Sequence, residues 1–526
     1  MHRNPSVMKH QFSEVPRAEI PRSTFDRSHG YKTTLNAGLL VPIFVDEALP
    51  GDTFNVRGTL FGRLNTPIYP IMDNMFLDTF FFSVPIRLLW DNWERFNGAQ
   101  TNPDDSTDFT IPKITAPTGG YASGSLEDYF GLPTGVGGFV HSALWHRAYN
   151  LIWNEWFRDQ NLQDSITVKK DNGPDDPALY TVMRRGKRHD YFTSCLPWPQ
   201  KGPGVTIPLG GQAPVHSSHY IIDTSTGSNS AWPVGGYTTS AYVPTGSASD
   251  FEWDNQGVGK EGIWADLSQA TAATINSLRQ AFQIQKIYER DARGGTRYVE
   301  LLKAHFGVTS PDFRMQRPEL LSTGSTPVNI SPIPQTSGTA GTNGYTPTPQ
   351  GNLAAMGTVL ANGHGFTHSF TEHCVVIGLA CIRADLTYQQ GLDRMWSRST
   401  RFDFYWPALA MIGEQAVLKK ELVCAGTSAD EEVWGYQERF GEYRYKPSRI
   451  TGKLRSSDPQ SLDAWHLSQV LPSNVVLDAN FIQENPPIDR IVAVPSEPHF
   501  IMDCYFRFKA ARPMPVYGVP GLIDHF

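Results

Sequence analysis

Two stretches of period-two alternation, one near each end of the chain, constrain its fold more than any other feature. From Thr53 to Leu64, Phe54, Val56, Leu60 and Leu64 fall on one face with Gly58 and Gly62 between them; Thr53, Asn55, Arg57, Thr59 and Arg63 fall on the other. From His499 to Ala510, Phe500, Met502, Cys504, Phe506 and Phe508 alternate with His499, Asp503, Arg507 and Lys509. Successive side chains of a strand point to opposite faces, so each stretch reads as a strand buried on one side. Two further stretches differ. Between Met75 and Val84, Met75, Leu77 and Phe81 face one way and Phe76, Phe80 and Phe82 the other, while Cys374 to Ile382 is apolar throughout. Both read as strands covered on two sides. Strong strands at both ends, with long irregular excursions between, suit a jelly roll, in which early and late strands pair across the sequence. No βαβ alternation is visible, so an α/β fold is a poor fit.

The expected class is therefore mainly β, with long loop insertions and a few helices. Helical spacing occurs over His141–Arg158, through Trp145, Tyr149, Ile152 and Trp156. It recurs over Ala270–Asp291, through Ile275, Leu278 and Phe282, where Gly294-Gly295 stops it. Both stripes read as packing faces. Residues 1–50 read as a polar N-terminal arm kept extended by Pro5, Pro16 and Pro21. It is either a loose chain end or an arm reaching a neighbour or nucleic acid. Residues 51–526 then form the body. Within it, 209–256 is rich in Gly, Ser, Thr and Pro and dotted with aromatics, and reads as an exposed loop. Leu320 to Thr371 holds no Lys, Arg, Asp or Glu. A free surface of that kind invites association, so this segment is expected to be covered by neighbouring subunits.

Composition narrows the function. Charged residues make up 18% of the chain, against roughly 25% in ordinary soluble domains. Such a surface suits contact with protein better than contact with water. The net charge of −7 disfavours a chain that neutralises nucleic acid unaided. The five cysteines, Cys195, Cys374, Cys381, Cys424 and Cys504, are scattered and form no CxxC pair. Neither a disulfide framework nor a zinc site is expected. The first residues lack the apolar core of a secretory signal, and no run is long and apolar enough to insert in a membrane.

No motif for phosphate cradling, dinucleotide binding, zinc proteolysis or a serine nucleophile occurs. His364, His368 and His373 would not share one strand face, so a metal among them is disfavoured. His141 and His146 are expected on different sides of a helix. The acidic loop with Asp171, Asn172, Asp175 and Asp176 reads as a turn around Gly173-Pro174 rather than a calcium site. Glu155 and Asp159 read as a solvated helix face rather than a glycosidase pair. The densest basic run, Arg184, Arg185, Lys187 and Arg188, reads as an interface element, with phosphate contact as the alternative. The chain is not expected to be an enzyme, and no cofactor is expected.

Four long stretches carry a resemblance: FFFSVPIRLLWDNWERFNG (80–98), RRGKRHDYFTSCLPWPQKG (184–202), the segment from SLRQAF to RPELL (277–321) and RADLTYQQGLDRMWSRSTRFDFYWP (383–407). In these the chain resembles the major capsid protein of the Microviridae, the gokushovirus branch in particular. The resemblance implies an eight-stranded antiparallel jelly roll at the base of a T=1 icosahedral shell, sixty copies around a circular single-stranded DNA genome. It implies as partners a small basic DNA-binding protein, a minor DNA-pilot protein, an internal scaffolding protein and a host surface receptor. It also implies a threefold protrusion used in host attachment. By position that protrusion is 209–256, with Tyr220, Trp232, Tyr237 and Tyr242 as contact residues. Genome-facing cations are expected among Arg3, Lys9, Arg17, Lys509 and Arg512. Localisation would be the virion, and the host cytoplasm during assembly. The rival readings are a secreted jelly-roll carbohydrate-binding protein or glycosidase, and a single-stranded-DNA binding module. The first would show a signal peptide and a carboxylate pair, the second a positive net charge.

Overall fold

Among the described residues, ten strands build the two main sheets: β1 (Ser23–Asp26), β2 (His29–Leu35), β3 (Val41–Ala48), β4 (Thr53–Leu64), β5 (Met75–Pro85), β6 (Glu319–Pro327), β7 (Asn329–Pro334), β8 (Leu353–Ser369), β9 (Cys374–Ala384) and β10 (Phe500–Arg512). The computed structural model describes residues 21–205, 215–217, 220–223, 231–233, 251–253, 263–265, 275–293, 300, 304–305, 316–341 and 347–517. The two alternating stretches at the chain's ends lie side by side. β4 and β10 run antiparallel, with Phe500 opposite Leu64 and Ala511 opposite Thr53. In both strands burial alternates with the sequence pattern.

Around this pair grows a six-stranded sheet. β1 and β2 line the outer edge of β10, and β8 and β7 follow β4 on the other side. A second sheet runs β6-β5-β9-β3. Every pairing in the two sheets is antiparallel. Their facing sides form one apolar core, including Phe44, Phe54, Leu60, Leu77, Phe81, Val359, Phe366, Val376, Phe506 and Phe508. Phe44 meets Phe506 at 5.2 Å between ring centroids, and Phe54 meets Phe508 at 4.9 Å, both edge-on. Each such ring contributes about 1.5–3 kcal/mol by burial. Gly378 makes room for this packing: a Cβ there would sit 2.7 Å from the Phe81 ring and 2.9 Å from the Phe44 Cβ.

The smaller sheet is covered on its far side as well. Phe82, Val84, Val375, Ile377, Leu379 and Cys381 pack there against Trp90, Ile114, Tyr149, Ile152 and Trp153. Several of the latter lie on helix α1 (Leu144–Ile152), which widens into a π-turn over Trp153–Phe157. A third apolar cluster, with Tyr191, Phe192, Tyr388, Trp434 and Phe481, lies apart from the sheets.

The architecture is a β-sandwich, as the alternation predicts. Among the described residues the two sheets hold ten strands, with β1 and β2 lying end to end along one edge of β10. Three details go beyond what the alternation predicts. Within the supposed arm of residues 1–50, 23–48 supply three strands, while 1–20 lie outside the described residues; the polar sequence hid β1 and β2 since they are half-exposed edge strands. The uncharged segment 320–371, expected to be covered by neighbouring subunits, is in part sheet. It supplies β6, β7 and β8, whose backbones bond within their own subunit. Finally, the first helix starts at Leu144, and His141 belongs to a short strand, Val140–Ser142.

The chain divides into two units, 1–199 with 310–526, and 200–309. The second contains short antiparallel strand pairings, with Trp232 opposite Ile221 and Trp253 opposite Ile221 on the other side. Its helix α2 (Ile275–Arg293) stops at the glycine pair as expected. The stripe read as a packing face is not closed over: Phe282 is 63% exposed.

Candidate functional surfaces

The polar residues that sequence reasoning weighed for chemistry are largely held in internal contacts. Arg147 is fully buried and takes up the acidic loop. Its guanidinium donates to the Asp175 carboxylate at 2.8 and 2.7 Å, to the Asp171 carboxylate at 3.2 Å, and to the Leu89 and Asp171 carbonyls. Burial works against the Asp175 charge, but hydrogen bonds from Arg147 and Tyr180 outweigh it and hold the carboxyl below its ordinary value. Asn172 accepts from the Trp90 indole at 2.8 Å, and Asp176 caps a short 3₁₀ turn. Asp159 likewise accepts from the backbone of Asn161.

The basic run turns inward too, which corrects its reading as an interface or phosphate element. Arg184 donates to the Glu484 carbonyl, and Arg185 pairs with Asp78 while lying over Phe80. Lys187 is buried over the Phe481 ring, donates to Gln469, and is pushed down to about 8 by desolvation. Of the run, Arg188 alone is exposed. Histidines are placed separately: His364 bonds Thr79 and Thr326, His368 lies 3.5 Å from Glu319, and His373 meets the Trp93 ring. His141 and His146, expected apart, have ring centroids 5.0 Å from each other. The strand placement of His141 turns it back over the helix start. There Tyr121 meets His141 at 2.7 Å, and Glu127 lies 3.5 Å from His146.

The proposed genome-facing residues separate. Lys509 is exposed on β10. Arg512 is engaged within its own subunit, donating to the Glu47 carbonyl at 2.7 Å and pairing with Asp52 at 3.2 Å. Arg3, Lys9 and Arg17 lie outside the described residues. Of the attachment candidates, Tyr220 and Trp232 have backbones in short strands; Tyr237 and Tyr242 lie outside the described residues.

Two exposed surfaces were not singled out from sequence. One is the outward face of the six-stranded sheet. The other is a ribbon from Met395 to Ile412, where Trp396, Phe402, Phe404, Tyr405, Trp406 and Met411 are all at least 45% exposed. The ribbon is ordered by its own contacts. Asp403 accepts from the Ser399 and Thr400 backbones, which hold its carboxyl at about 2. Trp406 donates to the Arg401 carbonyl, Arg401 lies over Phe402 and Trp406, and Arg398 lies over Tyr443. The clue in sequence was the density of aromatics with arginines between them; it gave no sign of which would stay uncovered.

Among the described residues, no helix is long and apolar enough to cross a membrane. A family profile described as "Capsid protein (F protein)" matches residues 13–522. The chain is 48% identical to the capsid protein VP1 of Bdellovibrio phage phiMH2K, over 98% of each chain. It is 45% identical to the capsid protein VP1 of Chlamydia phage 1, again over 98% of each. It is 36% identical to the capsid protein VP1 of Spiroplasma virus 4, over 98% of this chain and 97% of that one. These are structural proteins rather than enzymes, and with likeness running the full length of the sandwich, the chain belongs to the F-protein family of microvirus capsid proteins, on the gokushovirus side.

Proposed function

We propose that this capsid protein closes a T=1 icosahedral shell of sixty copies around a single-stranded DNA genome, and that residues 209–256 form a projecting loop used in host attachment. The observation that carries the shell reading is full-length likeness to coat proteins combined with an ordered aromatic surface left uncovered in the single chain. The ribbon at 395–412 and the edge strand β7, with Ile333 exposed, are the surfaces that neighbouring copies would bury. Exposed apolar patches of this kind mark protein contacts. Residues 320–371 thus keep a role between subunits through their outward side chains.

The net charge of −7 supports a division of labour in which a small basic DNA-binding protein carries much of the counter-charge. Lys509, with Arg3, Lys9 and Arg17 of the chain end, would add sequence-tolerant phosphate contacts. A DNA-pilot protein and an internal scaffolding protein complete the proposed partners, with assembly in the host cytoplasm and the virion as destination. Attachment is supported by the aromatic, weakly charged composition of 209–256, which falls within the unit 200–309.

Electron microscopy of the purified chain tests the shell, with uniform small-phage-sized particles expected and persistent monomers counting against it. Deleting residues 212–254 should leave particles that form but no longer bind host cells. Loss of assembly would instead make the loop an interface element.

A further inference from the structure

The pairing of β4 with β10 lays out the outward face of the larger sheet in rows. Asn55 stands opposite Lys509, Arg57 opposite Arg507, Thr59 opposite Tyr505, Phe61 opposite Asp503 and Arg63 opposite Ile501. On the other side of β4, Leu360 stands opposite Phe61. Rows on one face are about 6.8 Å apart, two strand residues. These side chains are exposed: Phe61 46%, Tyr505 53%, Ile501 64% and Leu360 55%.

The charge on this face is opposite in sign to that of the chain. Among the described residues no carboxylate forms an ion pair with Arg57, Arg63 or Arg507, and Asp503 is held by Lys32 at 2.6 Å. Two arginines directly across a strand pair destabilise a sheet; the Asp26 carboxylate, opposite Lys509 on β1, acts on Arg507 and Lys509 together and so offsets the row of three cations only in part. An anionic occupant would offset the rest. The same rows carry flat rings, Tyr505 one row from the arginine pair and Phe61 one row further. Beside them a cavity of about 850 Å³ opens, lined by Tyr31, Phe61 and Tyr129, by Lys32 and Arg63, and by the carboxylates of Asp128 and Asp503. That is a size that accepts a base and its sugar. Cations to hold phosphates and rings on which bases stack are the two parts of a sequence-tolerant site for unpaired nucleic acid. An acidic protein would match the arginines but would gain little from Tyr505.

We propose that the outward face of the six-stranded sheet is a binding platform for single-stranded nucleic acid, with phosphates along Lys509, Arg57, Arg507 and Arg63 and bases stacked on Tyr505 and Phe61. The proposal rests on the reading of the shell as a single-stranded-DNA container, and it names the surface that meets the genome.

The test uses the unassembled full-length chain, labelled oligo(dT) and inorganic polyphosphate, titrated at salt concentrations from about 50 to 200 mM. Arg57→Gln with Arg507→Gln should weaken oligo(dT) binding at least tenfold and flatten the log K against log salt slope by about 1.4, or about 0.7 for each phosphate no longer neutralised. Arg57→Lys with Arg507→Lys should keep the slope. Tyr505→Ala should weaken oligo(dT) binding by about fivefold to a hundredfold, leaving polyphosphate binding and the slope unchanged. Thermal midpoints check that each variant is folded. Unchanged oligo(dT) binding in the folded glutamine and alanine variants overturns the platform, as does an equal loss of polyphosphate binding in Tyr505→Ala. Nuclease-protected DNA in wild-type particles separates the two readings. If it is present while the variants bind normally, only the platform falls. If it is absent and the wild-type chain ignores oligo(dT), both fall.

Discussion

The two sheets of the sandwich make different use of the same kind of strand. In β9 all eleven residues are buried, because the sheet core lies on one side and the layer of α1 on the other. In β10 burial alternates, and every second residue is left to solvent. Even the charges differ. Asp78, on β5, is buried yet held below its ordinary pKa: desolvation opposes its charge, and hydrogen bonds from Ser325 and Arg185, with Arg383 nearby, overcome it. On the outward face of β4 and β10, by contrast, Arg57 and Arg507 stand opposite one another. Full coverage selects residues that pack or pair. A face left uncovered can keep an arrangement that makes sense only with a partner present.

The comparison is most easily broken at neighbouring positions of one strand. Phe506→Ala should cost about 3–5 kcal/mol in urea unfolding, because its ring meets Phe44 and Phe81 in the core. Tyr505→Ala should change stability by no more than about 0.5 kcal/mol. Similar losses at both positions would mean that the outward face is structural after all.

Acid sharpens the comparison at the doubly covered sheet. Asp78 and Asp175 both have lowered pKa values in the fold. Each therefore contributes stability that is complete above the unfolded value of 3.8 and is lost as pH falls through the lower folded value. Glu421 and Glu484, raised chiefly by burial, work in the opposite sense, so single variants rather than the wild-type curve isolate each effect. Asp175→Asn should lower the thermal midpoint at neutral pH and narrow its gap to wild type below pH ~4. A constant gap across pH would exclude the ion pair as the cause.

The smallest effect belongs to His141. Burial first, and the neighbouring His146 second, lower its pKa from 6.5, with Glu127 opposing. Its contribution is complete above 6.5 and falls as the pH drops below it, since the unfolded chain takes the proton first. His141→Gln should flatten the midpoint curve over that interval, and an unchanged slope there would assign the acid sensitivity elsewhere.

Much of the sandwich was legible because strand periodicity is local. Phe54 to Leu64 and Phe500 to Phe508 announce their inward faces one residue at a time, and Met75 to Val84 announces coverage on both sides. The candidate surfaces were less legible. Arg507 was visible as an outward residue of its strand and Arg57 as one of another, but their meeting depends on a register across more than four hundred residues of chain. The basic run at 184–188 looked like an interface because nothing local shows Asp78 and Glu484 waiting beside it. His141 and His146 looked separate because one residue of a strand was counted as part of a helix.

By itself the sequence determined the β class, the inward face of each long strand and, through its matched segments, the family. Only the tertiary structure decided which charges are paired and which face a partner. Hydrophobic alternation is written along the chain and survives without context, whereas Coulomb interactions and hydrogen bonds depend on distances between remote segments, which packing alone sets.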